Sequence, residues 1–113
     1  MRWFLRSKIH RATVTDADVG YVGSITLDAD LVEQAGLMDG EKVLVADVDN
    51  GERVETYVIV GERGSGVVCI NGAAAHKICQ GDRVIIMGFE LADGPVEAKK
   101  MLVDEQNRFV RYM

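Results

Sequence analysis

The sequence predicts a small, mostly β fold with short helices. Three observations support this prediction. Apolar residues recur at every second position in several runs, an Asn-Gly pair separates two β-rich runs, and only two short segments have the composition of a helix. At 113 residues, the chain is expected to form a single domain, residues 1–113. Because strands in so small a sheet would leave exposed edges, the pattern favours a closed barrel.

The first third of the chain alternates strand and turn signals. Residues 3–14 are predicted to form a strand, since apolar and polar residues alternate there with a period of two. The short polar side chains of residues 15–18 are typical of a turn. A short helix is predicted over residues 28–35, with Asp28 as its N-cap and Gly36 just beyond its end.

The rest of the chain is rich in β-branched residues. Asn50-Gly51 predicts a hairpin turn. The other predicted elements are strands over residues 42–47 and 52–60, a glycine-rich loop over 61–66, a strand over 67–70, a helical turn over 73–77, a strand over 83–91, a break at 92–95, a charged helical stretch after it, and last strands at 101–103 and 109–110.

Composition and charge argue against several classes of protein. A net charge of −5 argues weakly against general nucleic-acid binding. No apolar run approaches the roughly 20 residues of a membrane-spanning helix, and the N-terminus lacks the apolar region of a signal peptide, so a cytoplasmic protein is expected. Cys69 and Cys79 are ten residues apart with no second pair, so neither a metal site nor a disulfide is expected.

The pair Gly23-Ser24 has a chemical use beyond a turn. A serine hydroxyl can attack the preceding carbonyl carbon and convert the peptide bond to an ester. Loss of the serine α-hydrogen then cuts the chain, and hydrolysis leaves a pyruvoyl group at the new amino terminus. Glycine before the serine suits the bent backbone that this attack requires. Taken alone, the pair is more simply a turn between two strands.

Arg53, Thr56 and Tyr57 follow the predicted hairpin turn. Alternation places Arg53 and Tyr57 on one face of the strand and Thr56 on the other. Arginine there can pair with a carboxylate, and a tyrosine hydroxyl can deliver a proton. Thr56 can hydrogen-bond the carbonyl of Gly23 during cleavage. The simpler alternative is an exposed ion pair beside a half-buried tyrosine.

Two further segments have both a functional and a structural interpretation. Lys8 and His10 share a strand face, either as a positive patch or as ordinary exposed polar residues. Residues 71–76, Asn-Gly-Ala-Ala-Ala-His, lack bulky side chains, so their backbone N–H groups can approach a ligand. The alternative for this segment is a turn with small-residue packing.

Together these segments are far more specific than any one alone. Six segments follow one another in the order and spacing of bacterial aspartate 1-decarboxylases. They are Lys8 to Arg11, Tyr21-Val22-Gly23-Ser24, Thr56-Tyr57, residues 62–65, residues 71–76 and Gly81-Asp82. The chain resembles that pyruvoyl-dependent family over nearly all of residues 8–89. The resemblance implies a double-psi β-barrel, a homotetramer with active sites between subunits, and L-aspartate as substrate, converted to β-alanine and CO2 for pantothenate synthesis.

The resemblance also implies roles for individual residues. A proenzyme, or zymogen, would cleave itself between Gly23 and Ser24 into a β chain, residues 1–23, and an α chain, residues 24–113. Ser24 would become the covalent pyruvoyl cofactor that forms a Schiff base with the substrate. The resemblance implies that Tyr57 is the proton donor and that Lys8 and Arg53 bind the substrate carboxylates. It implies that Thr56 and Asn71 take part in processing, and that Thr56 also binds the substrate. The backbone of Gly72, Ala73 and Ala74 would contact the substrate.

Two rival functions remain at this stage. One is a catalytically silent barrel that acts as an interaction module, and the other is a pyruvoyl enzyme for a different amino acid. The residues also leave open whether cleavage is spontaneous or needs a maturation factor.

Overall fold

A computed structural model describes all residues, 1–113, as nine strands, one α-helix and one 3-10 helix. In chain order these are β1 (Arg2–Thr13), β2 (Asp16–Asp18), β3 (Ser24–Asp28), α1 (Ala29–Ala35), β4 (Lys42–Asp47), β5 (Arg53–Gly61), β6 (Val68–Asn71), the 3-10 helix (Gly72–His76), β7 (Arg83–Ala92), β8 (Lys99–Val103) and β9 (Phe109–Tyr112).

The strands form a single sheet in the order β2-β6-β3-β5-β4-β7-β1-β8-β9. Neighbours β2–β6, β3–β5 and β1–β8 are parallel, and the other neighbours are antiparallel. The small, mostly β fold with short helices is therefore confirmed. Parallel neighbours among antiparallel ones require crossing connections, in keeping with the double-psi barrel that the resemblance implies.

The core contains 20 buried residues, and partly buried residues of the two edge strands, Ala17 of β2 and Phe109 of β9, pack against it. Its fully buried members include Ile9 of β1, Ile25 of β3, Val58 of β5 and Ile86 of β7. Residues with inward-facing side chains alternate with exposed ones along β5, as the two-residue period predicted. Burial of these side chains fixes β3 between its neighbours β5 and β6, and β3 in turn positions Ser24.

Asp28 links helix α1 to the glycine-rich loop. Its Oδ1 accepts from the backbone N–H of Asp30 at 2.8 Å and of Gly64 at 3.0 Å, and its Oδ2 accepts from Gly66 at 2.8 Å. Burial opposes ionisation of Asp28, but these three donors outweigh it and lower the pKa of its carboxyl group. The predicted N-cap is confirmed, and Gly36 ends the helix with φ of 73°.

Two sequence-based predictions of local structure were wrong. Residues 16–18 are not part of a turn, because they form β2 and pair with Cys69–Asn71 of β6. The charged stretch after Pro95 is not helical, because Lys99 and Lys100 begin β8 and pair with Ser7 and Lys8 of β1. In both cases pairing with a distant strand overrides the local preference. No helix has the length and apolar character needed to cross a membrane.

Candidate functional site

Ser24 is the first residue of β3 and is fully buried, whereas Gly23 before it is exposed. The Gly23–Ser24 peptide bond therefore lies where an exposed loop enters the sheet. β3 runs antiparallel to β6, and in this register Ser24 lies opposite Asn71. The sheet thus brings together two residues that are 47 positions apart in the sequence.

The side chain of Asn71 holds the hydroxyl of Ser24. Asn71 is only 5% exposed, and its Nδ2 donates to Ser24 Oγ at 3.0 Å and to Thr26 Oγ1 at 3.2 Å. Its Oδ1 accepts from the thiol of Cys69 at 3.3 Å. Ser24 Oγ in turn donates to the carbonyl oxygen of Val22, at a long 3.4 Å. Together these two hydrogen bonds fix the position and direction of the serine hydroxyl.

Gly72 lies directly against the residue that precedes Ser24. Its φ is 77°, and a Cβ atom there would be 2.6 Å from Gly23 Cα, 2.8 Å from Gly23 N and 3.0 Å from the carbonyl oxygen of Tyr21. A Cβ on Gly23 itself would meet nothing within 4 Å, and its φ is not positive. The close approach at this site therefore requires glycine at position 72 more than at position 23.

Tyr57 lies beside Ser24 on the neighbouring strand. Strands β3 and β5 are parallel, and Ile25 of β3 pairs with Val58 of β5. Ser24 comes just before Ile25, and Tyr57 comes just before Val58, so the two residues lie side by side at this end of the ladder. Tyr57 is 38% exposed, and Thr56 is half-buried on the other face of β5, as alternation predicted.

The other candidate residues make no hydrogen bond with Ser24, whose side chain bonds only to Val22 and Asn71. Arg53 is exposed four residues before Tyr57, about 13 Å along an extended strand. Lys8 is half-buried on β1, which is separated from β3 by β7, β4 and β5. Ala73 and Ala74 continue the 3-10 helix that begins at Gly72.

The sequence left two interpretations of Lys8 and His10 on β1, a positive patch and ordinary polar residues. Lys8 pairs with Lys100 of β8, and His10 lies two residues further along β1. Burial, with the charges of Lys8 and Arg11, lowers the pKa of His10 and so favours its neutral form.

Two features lie apart from Ser24. A surface cavity of about 480 Å³ is lined by residues that include Trp3, Lys42, Glu55 and Phe89, but by neither Ser24 nor Tyr57. At the β4–β5 hairpin, carboxylate oxygens of Asp47, Asp49 and Asp82 lie within 4.8 Å of one another.

The carboxyl groups in this hairpin cluster titrate abnormally. Burial and the neighbouring carboxyl group of Asp82 raise the pKa of Asp47 to about 6, although Asp49 and Asn50 donate backbone N–H groups to its Oδ1. The neighbouring carboxyl group of Asp47 lowers the pKa of Asp82. The other carboxylate oxygen of Asp47, Oδ2, is buried without a hydrogen-bond partner, and a proton shared with Asp82 would give it one.

Sequence reasoning missed Cys69 and Thr26 as neighbours of Asn71, and it did not predict how closely Gly72 approaches Gly23. Alternation along residues 67–70 does place Cys69 and Asn71 on one face of β6, which was the available signal. No periodicity in the sequence indicated that this face meets Ser24, and only the processing role that the family resemblance implies for Asn71 pointed to it.

Comparison with known proteins gives a consistent result. The family model described as aspartate decarboxylase matches residues 1–110. An aspartate 1-decarboxylase of Corynebacterium efficiens is 58% identical, over 97% of this chain and 84% of that protein. Aspartate 1-decarboxylases of Syntrophus aciditrophicus and Caldicellulosiruptor saccharolyticus are 55% and 52% identical, over 95% of this chain and 96% and 87% of theirs.

Proposed function

Because the chain belongs to the aspartate decarboxylase family, we propose that it converts L-aspartate to β-alanine and CO2 after cleaving itself between Gly23 and Ser24. The observation that carries the proposal is the buried hydroxyl of Ser24, held at 3.0 Å by the amide of Asn71. A binding module has no evident need for a buried serine with a donor at its oxygen, next to an exposed glycine peptide.

The residues around Ser24 suit the first step of self-cleavage. Before the attack, the hydroxyl of Ser24 donates to the carbonyl oxygen of Val22. As Oγ bonds to the carbonyl carbon of Gly23, the C–N bond between Gly23 and Ser24 breaks, and the hydroxyl proton passes to the freed nitrogen of Ser24. The hydrogen bond from Asn71 Nδ2 holds Oγ in a defined position for the attack. The exposed loop before Ser24 can adjust its backbone during the attack, since Tyr21 and Val22 are 60% and 71% exposed. The products are the β chain, residues 1–23, and the α chain, residues 24–113.

The same site would hold the pyruvoyl group that Ser24 becomes. Its ketone forms at the α-carbon of Ser24, because Oγ leaves with the carboxylate of Gly23, and water supplies the ketone oxygen as ammonia is released. The amide of Asn71, which contacts Ser24 before cleavage, lies beside this position. A pyruvoyl group supplies a ketone that condenses with the substrate amine and accepts the electrons released with CO2. The surrounding residues orient the substrate and move protons.

Tyr57 is proposed as the proton donor to the α-carbon, because it is partly exposed and lies next to Ser24 across the β3–β5 ladder. Arg53 and Lys8 are proposed to bind the substrate carboxylates, with Thr56 and the backbone of Gly72, Ala73 and Ala74 as further substrate contacts. An unpaired carboxylate is costly to bury, so this cationic pair favours aspartate over neutral amino acids.

The distribution of these residues supports a site shared between subunits. Three strands, β5, β4 and β7, lie between Ser24 on β3 and Lys8 on β1 in the order of the sheet. A neighbouring copy can present its own cations to the exposed face that carries Tyr57. We therefore propose a homotetramer with active sites at its interfaces. Its place in cytoplasmic pantothenate synthesis, and a maturation factor if cleavage proves slow, rest on the family resemblance.

Intact-mass measurement of the purified protein tests the proposal. The proposal predicts two chains, with the α chain lighter than an unmodified 24–113 fragment by one ammonia. Ser24→Ala should remain a single chain and form no β-alanine. The chain contains a second Gly-Ser pair, Gly64-Ser65, whose serine is exposed and provides a matched control. Ser65→Ala should cleave and decarboxylate at the wild-type rate.

A single uncleaved wild-type chain after prolonged incubation with a bacterial extract would contradict the proposal and favour the silent interaction module. Cleavage with no release of CO2 from aspartate, but with release from another amino acid, would retain the cofactor and overturn the substrate. Production of β-alanine by the Ser24→Ala protein would exclude Ser24 as the origin of the cofactor.

A further inference from the structure

The side-chain amide of Asn71 has two chemically different ends, and either one can face Ser24. Nδ2 is only a donor and Oδ1 is only an acceptor, whereas the serine hydroxyl accepts from one and donates to the other equally well. The neighbouring hydroxyl of Thr26 is equally adaptable, so it does not select an orientation either. Some other group must decide which end of the amide faces Ser24.

Cys69 is that group in this chain. Its Sγ lies 3.3 Å from Asn71 Oδ1, on the same face of β6 two residues earlier. Because Oδ1 carries no hydrogen, the thiol must be the donor. Burial, with the charges of Asp16 and Asp18, raises the pKa of Cys69, so the thiol keeps its proton at neutral pH.

We propose that Cys69 is a positioning residue for self-cleavage: by donating to Asn71 Oδ1, it keeps Asn71 Nδ2 on Ser24 Oγ. The inference rests on the proposed cleavage at Gly23-Ser24. It adds to that proposal a residue that touches neither the scissile bond nor the substrate.

The orientation matters because it decides how the hydroxyl group of Ser24 is held before the attack. With Nδ2 toward Ser24, Oγ accepts from the amide and the hydroxyl hydrogen remains directed at the Val22 carbonyl. With the amide reversed, Oδ1 would draw the hydroxyl hydrogen away from Val22, so the nucleophile would be divided between two orientations instead of being held in one. Loss of the thiol donor therefore raises the barrier to cleavage without removing any reacting group.

The test compares self-cleavage rates of freshly purified precursor, measured by intact mass over time. Cys69→Ala removes the donor and should slow cleavage about fivefold, the effect of one modest hydrogen bond. Cys69→Ser retains a hydroxyl donor and should cleave within about twofold of wild type. The exposed cysteine provides the matched control, and Cys79→Ala should cleave at the wild-type rate.

A second comparison separates positioning from packing. In an Asn71→Ala background, adding Cys69→Ala should change the cleavage rate no further, because the amide that Cys69 orients is already absent. A purely structural role would slow both backgrounds equally. Melting temperatures of the variants report any loss of packing independently.

The possible outcomes are distinct. If wild-type protein never cleaves, or if Ser24→Ala cleaves, the proposed function itself fails. If wild type cleaves and Cys69→Ala matches it, only the role of Cys69 is overturned. Equal slowing by Cys69→Ala and Cys69→Ser also overturns that role. Should the alanine variant not fold, the serine variant decides, since slowing beyond twofold in a folded protein contradicts the inference.

Discussion

Replacing Gly72 by alanine should block self-cleavage while leaving the fold intact. Two costs can be worked from the structure. The first is conformational, because alanine at φ of 77° occupies the left-handed region at about 1–2 kcal/mol. The second is a clash, because the new Cβ would be 2.6 Å from Gly23 Cα, where carbon atoms normally rest about 3.5–4.0 Å apart.

The clash is relieved most easily on the side of the exposed loop. Tyr21 and Val22 are 60% and 71% exposed, so the loop can move outward by about 1 Å at little cost in stability. Ser24 is fully buried and stays in place. The carbonyl carbon of Gly23 then lies farther from Ser24 Oγ, and a displacement of about 1 Å can reduce a rate about 100-fold.

Gly51→Ala is the matched control. Gly51 has φ of 76°, nearly that of Gly72, but a Cβ there would meet nothing within 4 Å. Thermal unfolding should show a similar loss for both variants, about 5–10 °C. Mass measurements over time should show slow cleavage only in Gly72→Ala. Cleavage of Gly72→Ala at the rate of Gly51→Ala would refute the argument from close approach.

Three further predictions concern other parts of the molecule. Tyr57→Phe should cleave normally yet form β-alanine at least about 100-fold more slowly; unchanged turnover would exclude this proton donor. The pKa of Asp28 is lowered, so its stabilising contribution is present above about pH 4 and lost as pH falls through the folded value. Melting curves from pH 6 to 2 should show this loss in wild type, and an identical profile in Asp28→Asn would contradict it. The pKa of Asp47 is raised to about 6, so its contribution is greatest below about pH 4 and is lost as pH rises to 6. At pH 7.5, Asp47→Asn should therefore be more stable than wild type, on the order of 1 kcal/mol by denaturant unfolding. A less stable variant would refute the inference that burial beside Asp82 makes the ionised Asp47 carboxylate unfavourable.

Much of the local structure was predictable because it depends on neighbours in sequence. Alternation identified β5 and its two faces, Asp28 was identified as the cap of α1, and Asn50-Gly51 was identified as the hairpin turn. These features follow from backbone geometry within a few residues. The order of the motifs also identified the family, which the comparisons confirm.

The sequence by itself therefore determined the strands, the helix cap and the candidate serine. Only the tertiary structure decided what surrounds that serine: the amide of Asn71 from 47 residues away, the thiol that orients it, and the glycine packed against Gly23. It also decided that Asp16–Asp18 form a strand, because Cys69–Asn71 offer unpaired backbone groups there. Contacts between distant strands depend on register and packing of the whole sheet, and no local pattern encodes them.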